Sequence, residues 1–194
     1  MTLEPTSYAE RVAALVDRLA RVTRELQYVD GLNPAQWEAM RYLARANRYS
    51  RSPGALADFL GATKGTASQT LIALEAKGYI TRTRSVDDRR SVILELTERG
   101  IELLKQDPIL AIEAAVGSLG DEQGVHLVKG LSRLLHDLQK RHGIKEFGVC
   151  SECTLYCVAG HVAYPEDGDH CGKTGERLPS EGKDKICANF RAAE

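Results

Sequence analysis

The chain has 194 residues, 43% of them hydrophobic, which is enough for one domain with a core plus an extension. Its 26 basic and 27 acidic residues leave a formal net charge of −1, so overall charge announces no polyanionic partner. No apolar run approaches the ~18 residues of a membrane span. The opening MTLEPTSYAER lacks the positive n-region and apolar h-region of a secretory signal, so the expectation is a cytoplasmic protein without a membrane partner.

From Tyr8 to Tyr28, Val12, Leu15, Leu19, Val22 and Leu26 recur at helical spacing, and Arg11, Asp17, Arg18, Arg21 and Arg24 fill the other faces. Asp30 and Gly31 end this first helix. Asn33-Pro34-Ala35-Gln36 opens a second, with Gln36 at the capping-box position and Trp37, Met40, Leu43 and Ala44 facing inward. Trp37 reads as core, with a ligand-facing role for Trp37 or Tyr42 as the alternative. Ser52 then caps a short helix with Pro53 at its first position and Gly61 beyond its end. Thr63 caps another, whose buried stripe is Ala67, Leu71 and Leu74 and whose stop is Gly78. Tyr79 to Arg84 and Ser91 to Leu96 read as two strands, the second half-buried through Val92, Leu94 and Leu96. Ser85 to Arg90 is the polar turn between them.

Helix, tight turn, helix and a hairpin with a basic tip is the order of a winged helix-turn-helix. The second helix places Thr63, Lys64, Thr66, Ser68 and Gln69 near its N-terminal end, where partial positive charge and small donors suit a phosphate and a base edge. The hairpin adds Arg82, Arg84, Arg89 and Arg90 for flanking backbone or a minor groove. Thr70, Leu71, Leu74, Glu75, Gly78, Tyr79, Ile80 and Arg82, followed by Asp88, Arg90, Leu96, Thr97 and Gly100, carry a resemblance to the MarR family of transcription regulators. It covers roughly residues 8–142. The resemblance implies a dimeric repressor of double-stranded operator DNA, answering to a small-molecule effector. It also implies that Asp88 and Arg90 rigidify the wing and place an arginine on DNA.

Thr97 caps a long helical segment lined by Ile101, Leu104, Ile109, Ile112 and Val116 and broken at Asp107-Pro108. Gly117 to Gly120 is a turn. Asp121 opens a last helix whose stripe is Val125, Val128, Leu131, Leu135 and Leu138, widened by Leu127 and Leu134. A small winged helix cannot bury the first and last helices alone, so a second copy is the expected cover. His126, His136 and His142 read as surface or interface residues, and Glu146 and Glu152 as lone acids. No G-x-S-x-G, P-loop, G-x-G-x-x-G or H-E-x-x-H occurs, so an enzyme is not expected.

Composition changes at Gly143. All five cysteines lie beyond it, in a stretch too short and polar to fold on apolar burial alone. The domain reading is therefore 1–142 for DNA binding and dimerisation and 143–194 for a metal-binding tail. The overall class is mainly α, with an irregular C-terminal extension. Cys150 and Cys153 form a CxxC pair, and with Cys171 and Cys187 they make the expected ligand set. Cys157 is the alternative fourth, and His161 and His170 are in reserve. A zinc ribbon supplies two CxxC knuckles, and here the second is missing. The pattern resembles small four-cysteine modules that hold a [4Fe–4S] cluster, with Tyr156 and Phe190 shielding it. Zinc and a thiol-redox switch stay open beside it, and so does a different class, an iron–sulfur accessory or electron-transfer subunit.

Overall fold

The computed structural model describes residues 7–84, 91–163, 168–179 and 182–192. In chain order its elements are α1 (Tyr8–Leu26), α2 (Pro34–Arg45), α3 (Pro53–Phe59), α4 (Lys64–Ala76), β1 (Ile80–Arg84), β2 (Val92–Leu96), α5 (Glu98–Leu104), α6 (Leu110–Gly117), α7 (Asp121–His142), β3 (Tyr156–Cys157) and β4 (His170–Cys171). Each start follows its cap. Asn33 and Gln36 exchange side-chain and backbone hydrogen bonds in a capping box, at 3.0 and 3.2 Å. Ser52, Thr63 and Thr97 each accept the N–H three residues on, at 3.1–3.2 Å. Gly61 and Gly78 take positive φ, 57° and 74°, where the two short helices must stop.

The core sits where α2, α3, α4 and β2 meet. Trp37, Met40, Leu56, Leu71, Leu74 and Leu94 are fully buried there. Ala44 is only half-buried. β1 and β2 pair antiparallel from Ile80↔Leu96 to Arg84↔Val92, which puts Ile80 and Leu94 on one buried face; Arg84 lies at the far end of that face, past the core, and is exposed. α5 closes on this hairpin through Gly100, which is buried against the start of the wing. A Cβ at Gly100 would lie 2.2 Å from the Tyr79 carbonyl oxygen and 3.3 Å from Leu96 Cδ2. That carbonyl also accepts the Thr97 N–H at 3.0 Å, so it is held from both sides. Gly100→Ala is therefore expected to destabilise the fold by about 1–3 kcal/mol, read as a lower urea midpoint at unchanged slope. An unchanged midpoint would show that the α5–wing contact gives way freely.

Asp107-Pro108 breaks the helix after α5 as the sequence predicts, and Asp107 does more than break it. Its carboxylate caps the Ile109 N–H at 2.9 Å and accepts from Arg41 of α2 at 2.9 Å. Arg41 also donates to Gln27, the C-cap residue of α1. One guanidinium thus joins the first helix, the helix-turn-helix and the linker to the last helices.

Those outer helices bury nothing in the protomer: no residue of α1, α6 or α7 is buried. Leu15 and Leu19 of α1 are 58% and 62% exposed, and Leu131 and Leu135 of α7 are 47% and 58% exposed. Among the described residues no helix is long and apolar enough to cross a membrane.

The tail does not trail free. Gly143 ends α7 with φ 61°, and the chain folds back along α2 and α3. Phe147 packs edge-on against Phe59 and Tyr42, at ring distances of 5.2 and 6.2 Å. Lys145 pairs with Asp58 of α3 at 2.7 Å. Ile186 lies as a parallel bridge beside Ala46, donating to the Arg45 carbonyl at 2.7 Å and accepting from the Asn47 N–H at 2.9 Å. Its side chain belongs to the same core cluster as Trp37.

Candidate nucleic-acid interface and cysteine cluster

Two sets of residues stand out for chemistry. The first is the N-terminal end of α4. Thr63 is its cap, and Thr63 and Thr66 share a hydroxyl contact at 2.9 Å. Thr63, Lys64, Thr66 and Gln69 are exposed and Ser68 is half-buried, while Ala67, Thr70, Leu71 and Leu74 face the core. The helical period therefore sorts this stretch cleanly into a held face and a presented face. The presented face offers hydroxyls, an amide and an ammonium beside the unpaired N–H groups of the helix start. On the wing, Arg84 is exposed. Arg82 is half-buried and leans on Glu75 of α4 at 3.7 Å, a strut between helix and hairpin. Asp88, Arg89 and Arg90 lie outside the described residues.

Between α1, α2 and α4 runs an open groove of about 680 Å³, lined by Arg24, Gln27, Glu38, Arg41, Tyr42 and Thr66 among others. Burial raises the Glu38 carboxyl above its ordinary range, with Arg41 and Arg24 working against that rise. Both aromatics are fully buried, and of the two Tyr42 lines this groove while Trp37 does not. Its hydroxyl donates to the Ser50 carbonyl at 2.7 Å, and burial pushes its pKa up.

The second set is in the tail. A single 3-10 turn over Cys150–Glu152 carries the CxxC pair, with the Cys153 N–H on the Cys150 carbonyl at 3.0 Å. β3 and β4 pair antiparallel, Tyr156 opposite Cys171 and Cys157 opposite His170, which brings Cys171 back to the first knuckle. The Gly172 N–H reinforces this on the Leu155 carbonyl at 2.7 Å. Cys187 bridges to Gly148 at 2.9 Å, and Thr154 donates to the Arg191 carbonyl at 2.9 Å, so the last strand-like segment lies along the knuckle. Phe190 covers Gly148 so closely that a Cβ there would sit 2.6 Å from its ring.

The electrostatics follow this layout. Cys150 is buried, and burial pushes its thiol up to about 11; the neighbouring sulfurs of Cys187, Cys171 and Cys153 push the same way. Cys171 behaves oppositely. Burial works to raise it, yet the backbone N–H groups of Thr174 and Lys173, the Thr174 side chain and the Lys173 charge together hold its thiol below the ordinary value. Cys157 directs its sulfur to the Leu155 carbonyl at 3.8 Å, as a thiol donor does. All five cysteines are free, and among the described residues no three or more His, Cys, Asp or Glu side chains stand, as they are, where they could hold a metal ion. His170 is buried with Nδ1 3.0 Å from the Gly168 carbonyl, and exposed His161 accepts the Ala163 N–H at 3.2 Å through Nδ1.

Two acid–base partnerships differ from the sequence reading. Glu146 is not a lone acid: it meets His136 at 3.0 Å across the end of α7. Tyr156 donates to Asp169 at 2.5 Å, and Lys183 pairs with the same carboxylate. These two contacts hold the Asp169 carboxyl down at about 2. Tyr156 thus braces the cysteine hairpin through its hydroxyl.

The class of protein these elements define is a winged helix-turn-helix. The MarR family model matches residues 30–91 of this chain. The transcriptional repressor MprA of Escherichia coli is 34% identical over 76 residues, covering 39% of this chain and 43% of MprA. The match thus spans less than half the length of that relative. A MarR transcriptional regulator from Methanosarcina mazei superposes with a TM-score of 0.57 at 25% identity, over 68% of this chain and 98% of that one. Staphylococcus aureus MepR, in its complex with DNA, superposes with a TM-score of 0.54 at 22% identity, over 70% of this chain and all of MepR.

Proposed function

We propose that the protein is a homodimeric MarR-type repressor. It holds double-stranded operator DNA with the presented face of α4 and the wing. A thiolate-held centre in the tail, a [4Fe–4S] cluster or zinc, tunes its affinity. The observation that carries the DNA reading is the division of α4. Its core face is locked under α2 and α3, while Lys64, Thr66 and Gln69 are exposed toward a helix N-terminus and Arg84 is exposed on the wing. MprA is a repressor and MepR binds DNA, which supports the same role here. The bare apolar faces of α1 and α7 support the dimer, whose two recognition helices would meet half-sites about 34 Å apart. The groove beside Tyr42 supports a small-molecule effector site. An electron-transfer or accessory role has no use for a presented recognition helix packed against a paired β1–β2 hairpin.

The test is a mobility-shift titration on the region upstream of the protein's own gene, run at several salt concentrations. Lys64→Ala is expected to weaken binding roughly tenfold on all sequences and to lower the log–log salt slope by about 1 per protomer. Gln69→Ala is expected to relax preference at one base position instead. Equal affinity of wild type and both variants at every salt concentration would remove α4 from the interface.

A further inference from the structure

We propose that Cys150, Cys153, Cys171 and Cys187 bind one metal centre as four thiolates, with Cys157 outside it, and that this ligation seats Ile186 in the winged-helix core. The proposal deepens the role given above to the tail and does not require DNA binding. Three layers of observation support it.

The backbone brings these four cysteines toward one another from three separate segments. The 3-10 turn supplies Cys150 and Cys153, the β3–β4 hairpin supplies Cys171, and the bridge to Gly148 supplies Cys187. Cys157 sits on the same hairpin as Cys171 but is held by its own turn, at Leu155.

Two of the four carry N–H donors aimed at sulfur. The Asn189 N–H points at Cys187 Sγ at 3.4 Å, and the Arg191 N–H at Cys153 Sγ at 3.5 Å. Turns that offer backbone N–H groups to a sulfur stabilise a thiolate far more than a thiol, and such outer contacts orient metal ligands. On binding, each thiol releases its proton to solvent and its sulfur lone pair forms the bond to the metal. The N–H groups then spread the charge of the four thiolates. Soft sulfur donors select zinc or an iron–sulfur cluster over magnesium or calcium.

The residues on either side of Cys187 are the ones that grip the DNA-binding core. Ile186 is buried among the core residues, and the Ala188 N–H donates to Ser50 Oγ at 2.8 Å. Ser50 is fully buried, donates to Asn47 at 2.6 Å, and its carbonyl receives the Tyr42 hydroxyl. A metal fixing Cys187 therefore fixes the strand that closes the end of α2. Phe147, three residues before Cys150, does the same for α3 through Phe59. α4 packs on these two helices.

The experiment uses the full chain, purified without oxygen. Metal content, acid-labile sulfide and absorption are measured for wild type, Cys157→Ser, Cys153→Ser and Cys171→Ser. The expected result is about one zinc ion, or about four irons with matching sulfide, per chain in wild type and in Cys157→Ser. Cys153→Ser and Cys171→Ser are expected to lose it. A metal-free wild type, or loss in Cys157→Ser as complete as in Cys171→Ser, overturns the ligand set. The seating of Ile186 is read from Trp37, the protein's only tryptophan, in thermal melts before and after chelation. Stripping the metal is expected to lower the wild-type melt by about 5 °C or more, and to lower the melt of Ile186→Ala by clearly less. Equal shifts in both proteins, or none in wild type, overturn the coupling. Loss of operator binding in all forms with the metal and the melts as expected would leave this site standing and remove the repressor reading instead.

Discussion

Replacing Leu131 and Leu135 together by glutamate is expected to turn a dimer into monomers and to abolish operator binding. Both side chains stand on the stripe of α7, and roughly half of each is uncovered in the protomer. Completing their burial is worth about half of the ~1.5–3 kcal/mol that full burial of a leucine contributes. Over four side chains in a two-fold dimer that is about 3–6 kcal/mol, against about 8 kcal/mol for a micromolar dimer. The loss alone weakens association by about two to four decades, and four carboxylates placed in an apolar seam add to it. Sedimentation at micromolar concentration reads the mass, and far-ultraviolet dichroism shows whether the protomer is still helical. A helical monomer that no longer shifts DNA is the expected outcome, because one half-site alone gives weak binding. If the double variant sediments as a folded dimer, the seam lies on another face, and α1 with its exposed Leu15 and Leu19 becomes the next surface to charge.

The parts of this molecule legible in the sequence are those governed by neighbours in the chain. Ser52, Thr63 and Thr97 bond three residues ahead, and Gly61 and Gly78 need only their own φ, so a reading in chain order finds every helix of the DNA-binding unit. The wing register follows from two-residue alternation. The MarR resemblance singles out Gly100, but its reason is a long-range approach to the Tyr79 carbonyl that no local pattern states. The cysteine tail shows the same limit. Spacing offers four candidate ligands, yet nothing local says that Ile186, one residue before Cys187, enters the core beside α2. That contact joins positions about 140 residues apart. An apolar residue next to a cysteine in a polar tail was the only available signal. The pairing of His136 with Glu146 was similarly hidden, because the chain reverses at Gly143 and brings the two together across the end of α7.

The second large effect concerns Arg41, which the sequence presents only as one more basic residue on α2. In the fold it is the tie between the DNA-binding unit and the outer helices. It donates to Asp107 at 2.9 Å and to Gln27, and the Asp107 side chain is only 5% exposed. Removing one partner of a buried ion pair strands the other charge, at a typical cost of about 3–5 kcal/mol. Asp107 keeps the Ile109 N–H, so Arg41→Met is expected near the lower end, about 3 kcal/mol. For a chain of this length that corresponds to a fall of about 6–12 °C in the melting temperature. Replacing both partners, Arg41→Met with Asp107→Leu, removes the stranded carboxylate but also the cap on Ile109. The double variant is therefore expected to recover part of the loss rather than add to it. Operator affinity gives an independent reading. With Arg41 gone, α1 and the α5–α6 linker lose their common anchor on α2, so the dimer holds its two recognition helices less firmly. Binding is expected to weaken even at temperatures where the variant is fully folded. Strict additivity of the two substitutions in the melt would show that Arg41 and Asp107 are not energetically coupled. Unchanged operator affinity in the folded single variant would show that their contact sets stability alone.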